Sequence, residues 1–158
     1  MKDIVDRAYA LLIQIGKLCQ PVFLLAIRLY FFWQLLIIGW GKLINHGKVT
    51  EYFASLGIPF PGLNVYVVGL TECLGGALIL VGLISRLASI PVIVAMIVAY
   101  FAGDPQAVAS FFSDSDKFVK ADPFPFLFSA LIIFCFGPGW FSLDNLLKRL
   151  WDRRRQYR

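Results

Sequence analysis

Two residues of this chain carry a formal charge where their neighbours are apolar. Arg28 lies within PVFLLAIRLYFFWQLLIIGWG and Glu72 within LNVYVVGLTECLGGALILVGLI. A charge near the centre of a bilayer costs about 2.5–3.5 kcal/mol on the insertion scale. Such residues are therefore expected to face the inside of a bundle and to meet a partner there. An Arg–carboxylate pair in low dielectric is bidentate and strong. Two kinds of chemistry follow. The pair could be a structural ion pair that fixes helix register, or it could form a polar site that holds an anionic or quinone-like headgroup or relays protons. Gln34 and Lys42 complete the candidate ligand-binding set. Tyr30, Trp33 and Trp40 either join that pocket or anchor the helix at the interface.

The spacing supports a meeting of the two charges. Arg28 lies about seven residues, roughly 10 Å, from the start of its apolar stretch. Glu72 lies about twelve residues, roughly 18 Å, from the same side. At about 100° per residue, Arg28, Leu35, Gly39 and Lys42 share one face. Gly69, Glu72, Cys73 and Gly76 share another, with Gly75 beside it. Small residues let helices approach closely, so Gly39, Gly69, Gly75 and Gly76 are expected at helix contacts. Lys42, at the outer end of its stripe, is expected to snorkel to the interface.

Other chemistries are poorly served. His46 is the only histidine, which excludes bis-histidine haem and metal sites built on several imidazoles; no metal is expected. No phosphate-binding or dinucleotide-binding glycine motif is present. Cys19, Cys73 and Cys135 are odd in number and far apart, which argues against a disulfide framework or a zinc site. Cys73 and Cys135 read as small buried hydrophobes.

The elements that carry these residues are long and apolar. Of 158 residues, 59% are apolar and 16% charged, against roughly 45–50% and about 25% in soluble domains. Mean hydropathy is +0.73. A soluble fold of this size cannot hide so much apolar surface. A spanning helix needs about 20 mainly apolar residues, and four stretches qualify: 21–41, 63–84, 87–103 and 124–143. The expected fold is all-α: one polytopic membrane domain, a four-transmembrane-helix bundle with amphipathic interfacial helices at both ends (3–18 and 143–155). Ile4, Val5, Ala8, Leu11, Leu12 and Ile15 make the apolar face of the first of these. Leu143, Leu146, Leu147, Leu150 and Trp151 make that of the second, which Ser142 or Asp144 could cap. A solvated helix that docks on a protein partner is the rival reading of both. The first apolar run starts only near Pro21 with no small-residue cleavage site, so no cleavable signal is expected.

The net charge is +5 and its distribution reads as topology, not nucleic-acid binding. Ten Lys and Arg residues fall on one side of the expected spans: Lys2, Arg7, Lys17, Arg86, Lys148, Arg149, Arg153, Arg154, Arg155 and Arg158. Lys42, Lys48, Lys117 and Lys120 fall on the other. Both termini are thereby expected in the cytoplasm, with Arg153, Arg154 and Arg155 against anionic lipid. In the loops, Asn45-His46-Gly47 reads as a turn, residues 50–56 as two helical turns, and Gly57, Pro59 and Pro61 as breakers. Asp104-Pro105 could start a short surface helix. Gly137, Pro138 and Gly139 must break the last span, because proline cannot continue the ladder; a hinge into the tail helix is expected there.

With these residues in hand, the chain resembles the DoxX family of small bacterial membrane proteins. The resemblance rests on Arg28 followed by Gly39 and Lys42-Leu43, on FASLGIPFP (53–61), on GLTECLGGALILVGLISRLA (69–88) and on GPGWFSLD (137–144). It implies four transmembrane helices in the bacterial inner membrane and a redox setting. Relatives are linked to thiosulfate oxidation with quinone as acceptor, and to complexes handling oxidative and thiol stress. Cousins in disulfide chemistry would want paired cysteines, which this chain lacks. The expected function is a membrane subunit of a redox system, an oxidoreductase component with no self-contained catalytic motif, holding a quinone near Arg28, Glu72 and Lys42. A membrane scaffold for a partner enzyme, and a small-solute or lipid transporter, are the alternatives. A protein partner or a second copy of the chain is compatible with each.

Overall fold

The structure, a computed structural model, describes the backbone of residues 2–156 and the side chains of 5–152 and of Arg155. Every regular element among them is helical. The chain opens with α1 (Lys2–Ile27), passes through a single π-helical turn (Arg28–Phe32) and continues as α2 (Trp33–Ile44). The expected interfacial helix 3–18 is thus not a separate element: it runs into the first span without interruption. Pro21 removes only one ladder donor, and on a helix exposed at this level the freed carbonyl can be met from outside. Val5, Leu11, Leu12, Ile15 and Leu18 are all exposed. The side chains of residues 2–4, including Ile4 of the expected apolar face, lie outside the described ones.

A single turn residue, Asn45, leads to α3 (His46–Ser55), which starts at the histidine expected in a turn. Pro61 does not keep the helix broken: it occupies the first turn of α4 (Pro61–Val81), where its missing N–H costs nothing. After a tight turn, α5 (Ser85–Gly103) follows, with Pro91 inside it. Short helices α6 (Pro105–Ala109) and α7 (Ser115–Lys120) lie beyond Asp104. Then come α8 (Phe124–Phe136) and α9 (Leu143–Gln156).

Among the described residues, three helical segments are long and apolar enough to cross a membrane: Val5–Ile44, Pro61–Val81 and Ser85–Gly103. The stretch expected to span from 124 to 143 is a continuous helix only in part. Its helix ends at Phe136, because Gly137 (φ 79°) and Gly139 (φ 80°) take left-handed backbone on either side of Pro138. The thirteen residues of α8 rise about 20 Å, short of a bilayer core of about 30 Å.

In space α4 lies between α2 and α5, and α5 packs on α8, which also meets the π turn. Leu24, Ile27, Phe32, Leu35, Ile79, Val92, Met96, Ala130 and Ile133 form the core. Val67, Leu70, Leu74, Val94, Val98 and Phe128 point outward and are about half exposed or more. In water such a surface would aggregate; in lipid it is a solvated one.

The α2–α4 contact is close because glycines face each other. A Cβ on Gly39 would stand 2.6 Å from Cys73 N and 2.8 Å from Gly69 O. Gly69 and Gly76 line the same contact, whereas Gly75 faces Val92 on α5. The obstacles at Gly39 are backbone atoms and cannot rotate away. Gly39→Ala is therefore expected to destabilise the protein by about 1–3 kcal/mol, as over-packing does. Gly41→Ala, with open space around it, is expected to leave the thermal midpoint in detergent unchanged or slightly higher.

Candidate functional site

The two intramembrane charges do not meet. Arg28, buried with 1% of its surface exposed, spends its donors on backbone carbonyls. Nε donates to Ile79 O (2.8 Å), Nη2 to Leu80 O (2.7 Å), and Nη1 to both Pro138 O (2.9 Å) and Phe141 O (2.7 Å). Four of the five guanidinium N–H groups are so engaged. Ile79 and Leu80 lie in the last turn of α4, whose carbonyls have no partner within the helix and where the helix dipole favours a cation. Pro138 and Phe141 lie in the break after α8. The arginine therefore ties the π turn to the end of α4 and to the Gly137–Pro138–Gly139 segment.

Asp144 strengthens the same end. Its carboxylate accepts from Ile84 N (2.7 Å) and Ser85 N (3.2 Å), capping α5 from another helix. Its own N–H donates to Gly82 O (2.9 Å). Ser142 Oγ accepts from Asn145 N (3.3 Å) and caps α9. Of the two expected caps for the tail helix, serine takes that role and aspartate is drawn to α5. Arg86 donates to Cys135 O (3.3 Å).

Glu72 pairs instead with Lys42, whose Nζ lies 2.5 Å from Oε1. Lys42 is fourteen residues beyond Arg28, or about 21 Å along the helix axis, so the two cations serve opposite ends of the bundle. Lys42 is 26% exposed at the side chain and Glu72 only 2%. The lysine does not snorkel outward as expected. Its stem is long enough to turn inward, and a buried carboxylate offers more than an interfacial water does. Gly39, one turn below Lys42, leaves room for Glu72: the missing methyl would sit 2.8 Å from Glu72 Cβ.

The second carboxylate oxygen, Oε2, is buried and has no hydrogen-bond partner among the described residues. A buried acceptor left unpaired costs about 1–3 kcal/mol. Its position explains what could satisfy it, because the pair stands where two clefts join. One, of about 680 Å³, runs between α2 and α8 and includes Gln34, Leu35, Ile38, Met96 and Phe126. It exists because α8 meets the first helix mainly at the π turn, so the two diverge towards Lys42. The other, of about 510 Å³, lies between α3, α4 and α5 and includes Phe53, Asn64, Val68, Ala95 and Ala102. Lys42, Glu72, Ala99, Asp122 and Pro123 line both. Apolar walls converging on a few polar groups are the usual form of a small-molecule site.

Of the residues singled out from sequence, the structure thus brings together Glu72, Lys42 and Gln34 and sets Arg28 apart. Gln34 lines the first cleft, and its Nε2 donates to Tyr30 O at 3.1 Å. Tyr30, Trp33 and Trp40 are exposed on the outer surface and line neither cleft. Ala99, Asn64 and Asp122 were not anticipated. Ala95, Ala99 and Ala102 recur at helical spacing and could have been read as a narrow face; Asp122, a loop carboxylate, carries no such signal.

Around the clefts, the loop helices are fixed by aromatic contacts. Tyr100 Oη donates to Phe118 O (2.8 Å) and its ring stacks on Phe118 at 4.5 Å. His46 Nε2 lies 3.0 Å from Gly62 O, and its ring lies 4.2 Å from that of Tyr66. The histidine ties α3 to α4. At the far end, Arg149 lies over Trp140 and Arg155 over Trp151. Arg153 and Arg154, expected with Arg155 at anionic lipid, have side chains outside the described ones.

The DoxX family model matches residues 23–105, more than half of the chain. The match takes in the π turn, Gly39, Lys42, α3, Glu72 and α5 and ends at the first residue of α6; α7 to α9, with GPGWFSLD, lie beyond it. No curated protein and no solved structure matches the chain. A family match over more than half of the chain, on helices apolar enough to cross a bilayer, places this multi-pass membrane protein in the DoxX family.

Proposed function

We propose that the chain is the membrane subunit of a redox system in the bacterial inner membrane, with the headgroup of a lipid-soluble quinone held at Lys42 and Glu72. The observation that carries this reading is the open Oε2 of Glu72 at the junction of two apolar clefts. Lys42 has donors to spare, since only one of its three points at Glu72. Arg28 has no part in the ligand site: four of its five donors are taken by carbonyls at the other end of the bundle.

The topology belongs to the same proposal. Both termini face the cytoplasm, as the ten-to-four excess of Lys and Arg implies. The chain crosses four times, the fourth through the short α8, with local thinning of the bilayer. The amphipathic α9 lies in the cytoplasmic interface with its basic residues near anionic headgroups. The Lys42 end, with α3, α6 and α7, faces the other side.

Ala99 tests the site without touching a charge, because it lines both clefts. In nanodiscs, Ala99→Phe is expected to weaken binding of decylubiquinone, read by tryptophan quenching, by about tenfold or more. Ile97→Phe, on the exposed side of the same helix, is expected to bind as the parent does. Equal binding by Ala99→Phe and the parent would remove the clefts from consideration.

A further inference from the structure

We infer that the Lys42–Glu72 site selects ligands by the presence of a hydroxyl on the headgroup, binding a phenol or quinol in preference to the corresponding quinone or ether. This rests on the site reading above and goes further, by naming the hydrogen-bonding form of the ligand.

The inference follows from the donor and acceptor inventory. An ionised carboxylate only accepts, and an ammonium only donates. Glu72 Oε1 is met by Lys42. Oε2, on a side chain with 2% of its surface exposed, has no donor among the described residues. Leu35, Ile38, Met96, Ala99 and Pro123 on the walls have no side-chain donor, and the donors that also line the clefts, Gln34, Lys120, Tyr52 and Asn64, make no hydrogen bond to Oε2. A ligand that satisfies the site must give a proton to Oε2 and receive one from Lys42 Nζ within a few ångströms. One hydroxyl oxygen does both. A quinone carbonyl does only the second, and sets its lone pairs against those of Oε2. A methyl ether has the same defect. A hydrogen bond to a charged group is stronger than one between neutral groups, and an unmade one in a dry site carries the full cost of desolvation. The apolar walls fix the rest of the ligand class: an apolar body long enough to occupy a cleft, with the hydroxyl at one end.

Glu72→Gln provides the reversal. The amide is nearly the same shape but carries two donors and one acceptor. It can donate to a carbonyl or an ether oxygen, so the penalty on those ligands falls.

The experiment compares four probes on the full chain in nanodiscs: 4-octylphenol, its methyl ether, decylubiquinol kept anaerobic, and decylubiquinone. The parent protein is expected to bind the phenol about tenfold or more tightly than the ether, and the quinol about tenfold or more tightly than the quinone. In Glu72→Gln both ratios are expected to fall to within about threefold. Equal affinities within each pair on the parent protein, with binding still lost in Ala99→Phe, would overturn the hydroxyl selection and leave the site reading standing. Absence of binding by all four probes would overturn both. An unchanged preference in Glu72→Gln would show that another group makes the selection. Should Glu72→Gln fold poorly, Glu72→Asp supplies the second variant: it keeps the acceptor but withdraws it by one methylene, and is expected to lower the phenol-to-ether ratio without abolishing it.

Discussion

Arg28→Leu is expected to lose most of its folded protein. The leucine removes donors from four carbonyls at once, at Ile79, Leu80, Pro138 and Phe141. Each acceptor left unpaired away from water costs about 1–3 kcal/mol; Ile79 O keeps the Gly82 N–H at 3.1 Å, and others will recover a partner by local rearrangement. The net cost is expected at about 4 kcal/mol or more, a large share of the 5–15 kcal/mol that holds a typical domain together. The loss should begin at one end: the segment after α8 should detach from α4, and Asp144 should lose its hold on Ile84 and Ser85. Arg28→Lys keeps the charge but supplies a compact ammonium in place of a fork. It is expected to fall between the two, with a lower thermal midpoint and a recoverable monodisperse fraction. Size-exclusion profiles and thermal unfolding in mild detergent distinguish these outcomes. Full retention of fold by Arg28→Leu would contradict the assignment of this residue as a tie.

The second large effect is an asymmetry between Lys42 and Glu72. Removing the lysine, as in Lys42→Met, strands a carboxylate that is 2% exposed. Breaking a buried pair in this way costs about 3–5 kcal/mol, less whatever is recovered when the orphan takes up a proton. Removing the acid, as in Glu72→Met, frees a lysine that is 26% exposed and can turn to water, so the cost is expected to be smaller by about 2 kcal/mol. The double variant should be more stable than Lys42→Met alone, with a coupling energy of about 1–3 kcal/mol. The same cycle between Arg28 and Glu72 should give additive changes within about 0.5 kcal/mol, because they share no partner. Unfolding free energies from steric trapping in micelles give both cycles. Strong coupling of Arg28 to Glu72 would mean that the two charges meet after all.

How much of this could be read from the chain differs from residue to residue. That Arg28 and Glu72 face inward was legible, because the cost of a charge in lipid leaves little choice. Their partners were not. Arg28 answers to carbonyls, which every residue carries and no sequence pattern marks. The depth estimate for Glu72 depended on helix ends, and an error of two residues at each of two ends is already about 6 Å. The position of Lys42 allows its stem to reach outward, and the same stem reaches Glu72 equally well. The glycine faces were legible from helical spacing, but which glycine meets which helix was not: Gly75 turns to α5 while Gly69 and Gly76 turn to α2.

The helix limits show a similar contest. Gly137-Pro138-Gly139 stated plainly where α8 stops, yet the length of a typical span argued for 143, and the local breaker prevailed. At Pro21 the reverse happened: a residue that reads as a helix start sits inside one continuous helical run from Lys2 to Ile44, with a π turn at Arg28–Phe32. The π turn has no sequence signature. It lies where Arg28 and Phe32 are both buried, in keeping with the tendency of such turns to mark positions under functional or structural demand.

The most direct measurement is photolabelling of the full chain in bacterial membrane vesicles with an azido-quinone, followed by digestion and mass spectrometry of the labelled peptides. Label is expected within residues 34–42, 95–102 or 119–126, suppressed by excess decylubiquinol and absent in Ala99→Phe. Label confined to residues 136–148 around the Arg28 tie, or spread over the lipid-facing side chains without competition, would contradict a ligand site at Lys42 and Glu72.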